Sequence, residues 1–200
     1  MLKSFVRLTL RMLGRQKFAS FINIAGLTLG FASFILIGLY VYDELQFDRS
    51  QSNEASIYRI HSNMFNPERN MAHLPARFYP VIKDNLPEVR EVVRTFKPYI
   101  HVFLSIDETL HREERLLFAD PAFFEVFSFQ ADPASKAVFK ETPNAIILGP
   151  SLAERIFGNE DPVGKLLRYN ESFELVVAGV LAKDPEYSHL DFSAVINYDA

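Results

Sequence analysis

The chain has 200 residues, a formal net charge of −4 and a hydrophobic fraction of 48%. It holds no cysteine, which excludes disulfide stapling and Cys-based metal or nucleophile chemistry. Residues 1–17 carry +5 and the remainder −9, and a net acidic remainder argues against nucleic acid as a partner.

The first seventeen residues read as an amphipathic helix. Lys3, Arg7, Arg11 and Arg15 recur every fourth position and Lys17 follows, so the basic side chains form one drifting stripe. Such a stripe suits anionic lipid headgroups at a membrane surface, and it equally serves to fix topology. Phe18 to Tyr42 then form twenty-five consecutive positions without a charged side chain. As a helix they reach roughly 37 Å, enough for a hydrocarbon core of about 30 Å with some tilt. Basic residues before the run and Asp43, Glu44 and Asp48 after it place the N-terminus in the cytoplasm and the rest outside. A cleaved secretory signal has a shorter apolar stretch and a small-residue cleavage site, whereas Tyr40-Val41-Tyr42 leads directly into acid here. Within the run, Gly26 and Gly30 have the small-xxx-small spacing that permits close helix packing, and Asn23, Thr28 and Ser33 offer interhelical hydrogen bonds.

After the span, about 158 residues suffice for one core or a compact pair of subdomains. Residues 57–62 read as a short strand. Leu74, Phe78, Val81, Ile82 and Leu86 keep helical spacing, which Pro80 should kink or divide. Residues 100–106 alternate as a half-buried strand, turn at Asp107-Glu108-Thr109 and return through Arg115-Leu116-Leu117-Phe118. Asp120-Pro121 opens a short helix, with Asp as the cap, followed by buried Phe123, Phe124 and Phe127. Asn144 to Leu148 is a strand, Pro150 to Phe157 a helix stopped by Gly158, and Phe173 to Leu181 a last long strand. Strands and short helices intermix without regular βαβ spacing, so the fold class is α+β: a transmembrane helix followed by a mixed domain, open to division into two subdomains.

No active site emerges from the residue pattern. Gly158 to Lys165 superficially resembles a phosphate-binding loop. However, five residues separate its glycines, Leu166 stands where Ser or Thr would hold Mg²⁺, and Glu160 and Asp161 would repel phosphate. The five histidines (His61, His73, His101, His111, His189) lack metal-ligand spacing and read as surface or capping residues. Gly149-Pro150-Ser151 is no nucleophile elbow, and the pairs Glu113-Glu114 and Glu160-Asp161 read as solvated positions. No catalytic, cofactor-binding or metal residue is expected.

Several stretches together resemble one family. Residues 15–17 and 20–27, with Tyr42-Asp43-Glu44-Leu45-Gln46-Phe47-Asp48, look like the N-terminus of MacB-like (FtsX-like) ABC-transporter permeases. Ile57-Tyr58-Arg59-Ile60 fits the first extracytoplasmic strand of such proteins. Residues 120–129 (DPAFFEVFSF), 157–165 (FGNEDPVGK) and 188–192 (SHLDF) resemble recurrent family motifs in family order.

The resemblance implies the N-terminal part of a permease subunit of the bacterial inner membrane. Residues 1–17 would be its cytoplasmic basic segment, 18–42 its first transmembrane helix, and 43–200 its periplasmic core domain, incomplete at the C-terminus. It implies an ABC ATPase as partner, a second permease copy or paralogue in a dimer, contact with membrane lipid, and a periplasmic substrate or adaptor protein. ATP hydrolysis would lie in the partner, transmitted as periplasmic domain motion for export or extraction. Substrates in the family include lipoproteins, peptides and small amphiphiles. The later helices and the ATPase-contacting loop of the family are absent from these residues. A single-pass periplasmic sensor or assembly scaffold fits the same topology, and a tethered hydrolase fits least because no catalytic set emerges.

Overall fold

The computed structural model describes residues 11, 15–45, 53–61, 74–106, 109–185 and 188–198. They belong to two compact units, Met1–Phe47 and Asp48–Ala200.

The first unit is dominated by helix α1, Lys17–Glu44, which is 28 residues long. Its sequence contains no proline, and none of its side chains is buried. A helix apolar on every side has no face suited to water, in contrast to the one-sided stripe of a surface helix. At its C-terminus the Leu45 N–H donates to Val41 O, closing the last turn.

In the second unit the chain passes through a short 3₁₀ turn, Glu54–Ser56, and helix α2, Phe78–Asn85. Strands β1 (Thr95–Phe96), β2 (Val102–Ile106), β3 (Thr109–Glu113) and β4 (Leu116–Ala119) follow. Helices α3 (Phe123–Val126) and α4 (Pro133–Glu141) lead to β5 (Ala145–Leu148) and α5 (Pro150–Phe157). Strands β6 (Leu166–Tyr169), β7 (Phe173–Val180) and β8 (Ala194–Asn197) complete the order. The strands form one eight-stranded sheet in the order β1-β4-β8-β5-β7-β6-β2-β3. It is mixed: β4 with β8 and β5 with β7 are parallel, and the other neighbours are antiparallel.

The central strands β5 and β8 are buried at every position, so both sheet faces are covered there. Ile146, Leu148, Ala194 and Ile196 point into a core closed by Leu152, Ala153 and Phe157 of α5. The alternate residues Ala145, Ile147 and Val195 point into a second core around Phe123 and Phe139. The sheet curls strongly toward the α5 side. Phe118 on β4 and Tyr169 on β6 are four strands apart in sheet order, about 19 Å on a flat sheet, yet their ring centroids are 5.6 Å apart.

Four local readings of the sequence are corrected. Residues 57–61 form no strand; Tyr58 is 83% exposed, and β-formers without a pleated neighbour gain nothing from pairing. Pro80 neither kinks nor divides a helix, because α2 starts at Phe78 and puts Pro80 in the first turn, where an N–H has no intrahelical partner anyway. The return strand of β2 is Thr109–Glu113, while Leu116–Ala119 leaves for the other half of the sheet to pair with β1 and β8. The turn residues 107 and 108 lie outside the described residues. Finally, Asp120 does not cap the helix after it: the N-cap of α3 is Ala122, without a side-chain hydrogen bond.

Candidate functional site

The features that set this chain apart are an apolar helix and three loops or junctions built by the recurrent motifs. Helix α1 is long and apolar enough to cross a membrane, at roughly 42 Å for its 28 residues. Gly26 and Gly30 both lie in α1, and a Cβ built at either meets nothing within 4 Å. The Thr28 hydroxyl donates to Ile24 O at 2.7 Å, so this side chain is already satisfied inside its own helix. Of the basic stripe, Arg15 and Lys17 stand at the start of α1 and are exposed, as is Arg11. Lys3 and Arg7 lie outside the described residues.

The first motif, residues 120–129, makes a phenylalanine cluster. Phe123 is fully buried, with ring centroids of Phe124, Phe127, Phe129 and Phe192 at 5.0–5.9 Å. Phe192 comes from the last motif, residues 188–192, so two motifs far apart in sequence build one core. The Asp120 side chain is 3% exposed and holds Arg94 through a fork: Arg94 Nη2 donates to Oδ1 at 2.6 Å and Nε to Oδ1 at 3.0 Å. The Arg94 backbone N–H also donates to Oδ2 at 2.6 Å. The guanidinium also lies over the rings of Tyr79 and Tyr198, whose centroids are 4.6 and 4.5 Å from Cζ.

The loop of residues 157–165 is structural. Gly158 and Gly164 sit at φ +61° and +80°, where a side chain is disfavoured. Gly164 N–H donates to Val177 O at 2.8 Å and Val177 N–H to Lys165 O at 2.9 Å, stitching the loop to β7. Lys165 is ion-paired with Glu160 and lies over the Phe157 ring. The side chain a phosphate would need is thus occupied by the loop's own carboxylate.

Sequence reasoning missed two carboxylate arrangements, one buried and one half-buried. Glu113 is not solvated: it is 5% exposed, paired with Arg155 of α5, and accepts from the backbone N–H groups of Glu114 and Arg115 at 3.1 Å. Burial alone would raise its carboxyl, but the Arg115 N–H, the Ser193 side chain and the Arg155 guanidinium hold it below the ordinary carboxylate range. Asp184 accepts from the Ser151 N–H and hydroxyl and so caps α5 from a distant loop. A Cβ at the N-cap, Gly149, would collide with Asp184 Oδ1, which is why glycine stands there. Only an arginine in reach marks a buried acid in sequence, and Arg155 is forty-two residues away from Glu113.

Two open hollows lie on this unit. One of about 440 Å³ is lined by Ser105, Leu110, Leu166, Arg168 and Glu174, from strands β2, β3, β6 and β7. The other, about 320 Å³, lies over the Arg94–Asp120 pair. Among the described residues no group of three or more His, Asp or Glu side chains is placed to hold a metal ion. His101 rests against Arg112 and Glu114 at the surface, and His73 lies outside the described residues.

Among the described residues, one long apolar helix is followed by a mixed α+β domain in which residues 120–129 and 188–192 build a common core. The family model of the MacB-like periplasmic core domain matches residues 20–200, and the chain belongs to that family. Among solved structures, it is similar to a domain assigned to a permease protein of Porphyromonas gingivalis (22% identity, 60% of this chain and 55% of that one, TM-score 0.49). It is also similar to the periplasmic region of MacB from Actinobacillus actinomycetemcomitans (17% identity, 70% and 63%, TM-score 0.48). A third is the extracellular domain of the ABC-type transporter YknZ from Gram-positive bacteria (16% identity, 63% of each chain, TM-score 0.49). The chain spans 55–63% of the length of these three. No curated protein matches it.

Proposed function

We propose that this chain is the N-terminal part of an ABC-transporter permease subunit, anchored in the bacterial inner membrane by α1. In this reading residues 1–17 are cytoplasmic, 18–42 span the membrane and 43–200 form the periplasmic core domain. The observation that carries it is the family match over residues 20–200, which takes in most of the apolar helix and the sheet that follows it. The sign of the charges flanking that helix supports the orientation.

The chain itself supplies no chemistry. An ABC ATPase partner hydrolyses ATP, and the stroke reaches the periplasmic domain as movement for export or extraction of substrate. The basic residues Lys3, Arg7, Arg11, Arg15 and Lys17 meet lipid headgroups. Gly26 and Gly30 let another helix, from a second permease copy or paralogue, approach α1 closely. Replacing both glycines by Leu in the native gene product is expected to lower transport or assembly at least several-fold, because interface glycines set the distance between helix backbones. Unchanged transport by that double variant removes their packing role.

The deciding experiment is mild-detergent purification of the native gene product, followed by mass spectrometry and an ATP-hydrolysis assay. A co-purifying ABC ATPase with vanadate-sensitive turnover is the expected result. A clean preparation without an ATPase overturns the permease reading in favour of a single-pass sensor or scaffold.

A further inference from the structure

The motif aspartate Asp120 is idle as a helix cap, yet its side chain is only 3% exposed. Its carboxylate is committed to one residue. Arg94 forks onto it through Nε and Nη2, and the Arg94 N–H adds a third bond at 2.6 Å. Two backbone bonds bracket the pair: Asp120 N–H donates to Arg94 O at 3.1 Å, and Tyr198 N–H donates to Ala119 O at 2.7 Å. The guanidinium also lies over the Tyr79 and Tyr198 rings, with Cζ 4.6 and 4.5 Å from their centroids.

These contacts join four chain segments that are distant in sequence. Tyr79 lies in α2 and Arg94 leads into β1. Asp120 follows β4, and Tyr198 follows β8. β1 is only two residues long and, among the described residues, pairs with β4 alone, so strand pairing gives this segment little hold. A planar guanidinium can bond a carboxylate edge-on and stack two rings with its faces at once, and a lysine ammonium cannot.

We infer that Arg94 and Asp120 form a clasp that fastens helix α2 and the residue following β8 to the sheet edge, so that these two segments move with the sheet as one body. This deepens the permease reading and rests on it for its purpose: a displacement delivered at either segment then reaches the sheet without being lost in a loose joint. The clasp itself is a property of the domain alone, which allows it to be tested separately.

The test is hydrogen–deuterium exchange by mass spectrometry on the full chain in detergent, comparing wild type with Arg94→Ala and Asp120→Asn. Exchange is expected to rise about tenfold or more in α2 and at Tyr198, while β5 and β7 keep their protection, because local openings are lost from the weakest unit first. Arg94→Lys keeps the charge but not the fork or the stacking, and is expected to loosen the same two segments. Tyr79→Leu is expected to loosen α2 alone. Should the first two variants not accumulate, Arg94→Lys gives the two-segment reading and Tyr79→Leu the α2 half of it from a folded chain. Unchanged exchange in α2 and at Tyr198 overturns the clasp, as does an equal rise across β5 and β7, which marks a pair needed only for global stability. An intact ATPase complex with either of those patterns removes the clasp and leaves the permease reading standing. The clasp pattern in a chain that binds no ATPase does the reverse.

Discussion

Helix α1 and the sheet domain solve the same backbone problem in opposite ways. In α1 the hydrogen bonds are local, no side chain is buried, and the residues facing outward are Phe, Ile, Leu and Tyr. In the domain the pairing is long-range: β8 is held between β4 and β5, whose sequence positions precede it by dozens of residues. Several of its buried polar side chains are paired, as in Glu113 with Arg155 and Asn197 Nδ2 donating to Phe139 O at 2.7 Å. The helix therefore depends on an apolar solvent to be stable as it stands, whereas the domain makes its own apolar interior. A substitution that is fatal to one should leave the other unmoved.

The largest expected effect breaks the domain alone. Phe123→Ala empties the centre of the phenylalanine cluster and should cost about 3–5 kcal/mol of domain stability, seen as a lower denaturation midpoint, with membrane insertion unchanged. The converse change is Phe31→Arg near the middle of α1. It should disfavour insertion by roughly 3 kcal/mol, measured by the membrane-integrated fraction, and leave the domain's unfolding transition where it was. If both variants lower both readouts equally, the two regions are not independent.

A smaller effect sharpens the contrast through charge. Glu113→Gln removes the buried partner of Arg155 and should cost about 1–3 kcal/mol at neutral pH. The folded pKa of Glu113 lies below its ordinary value of 4.5, so its contribution is complete above that value and is lost as pH falls through the lower folded pKa. The variant should accordingly lose less stability than wild type between neutral pH and that acid window. Identical acid profiles for the two proteins would show that Glu113 is not held as the structure places it.

Reading the chain as letters succeeded where the cause is local. Helix α5 appears at Pro150–Phe157 as its Pro start and Gly stop require, and Gly158 takes the positive φ that only the absence of a side chain makes easy. The alternation at residues 102–106 became β2, and the mismatches at 158–165 came out as a loop tied down by its own glutamate. It failed where a neighbour decides. The four residues of β8 and the two of β1 carry too little pattern to announce themselves, and β6 turns into β7 through Asn170 and Glu171, both at positive φ, without the glycine that usually signals such a turn. Helix α4 also passed unread, although Asp132 accepts from the Ala134 N–H and Pro133 opens the first turn, a start signal that was there to be found.

What the sequence determines by itself is therefore the anchor-like helix, the α+β class and the family, because uninterrupted apolarity, periodicity and short motifs are properties of neighbouring residues. The order of the sheet, the curl that brings Phe118 to Tyr169, the burial of Glu113 and the turning of Asp120 from a cap into the holder of Arg94 were decided only by the tertiary structure. The physical reason is that desolvation and pairing depend on what the folded chain brings together from far along its length, and no local pattern records that distance.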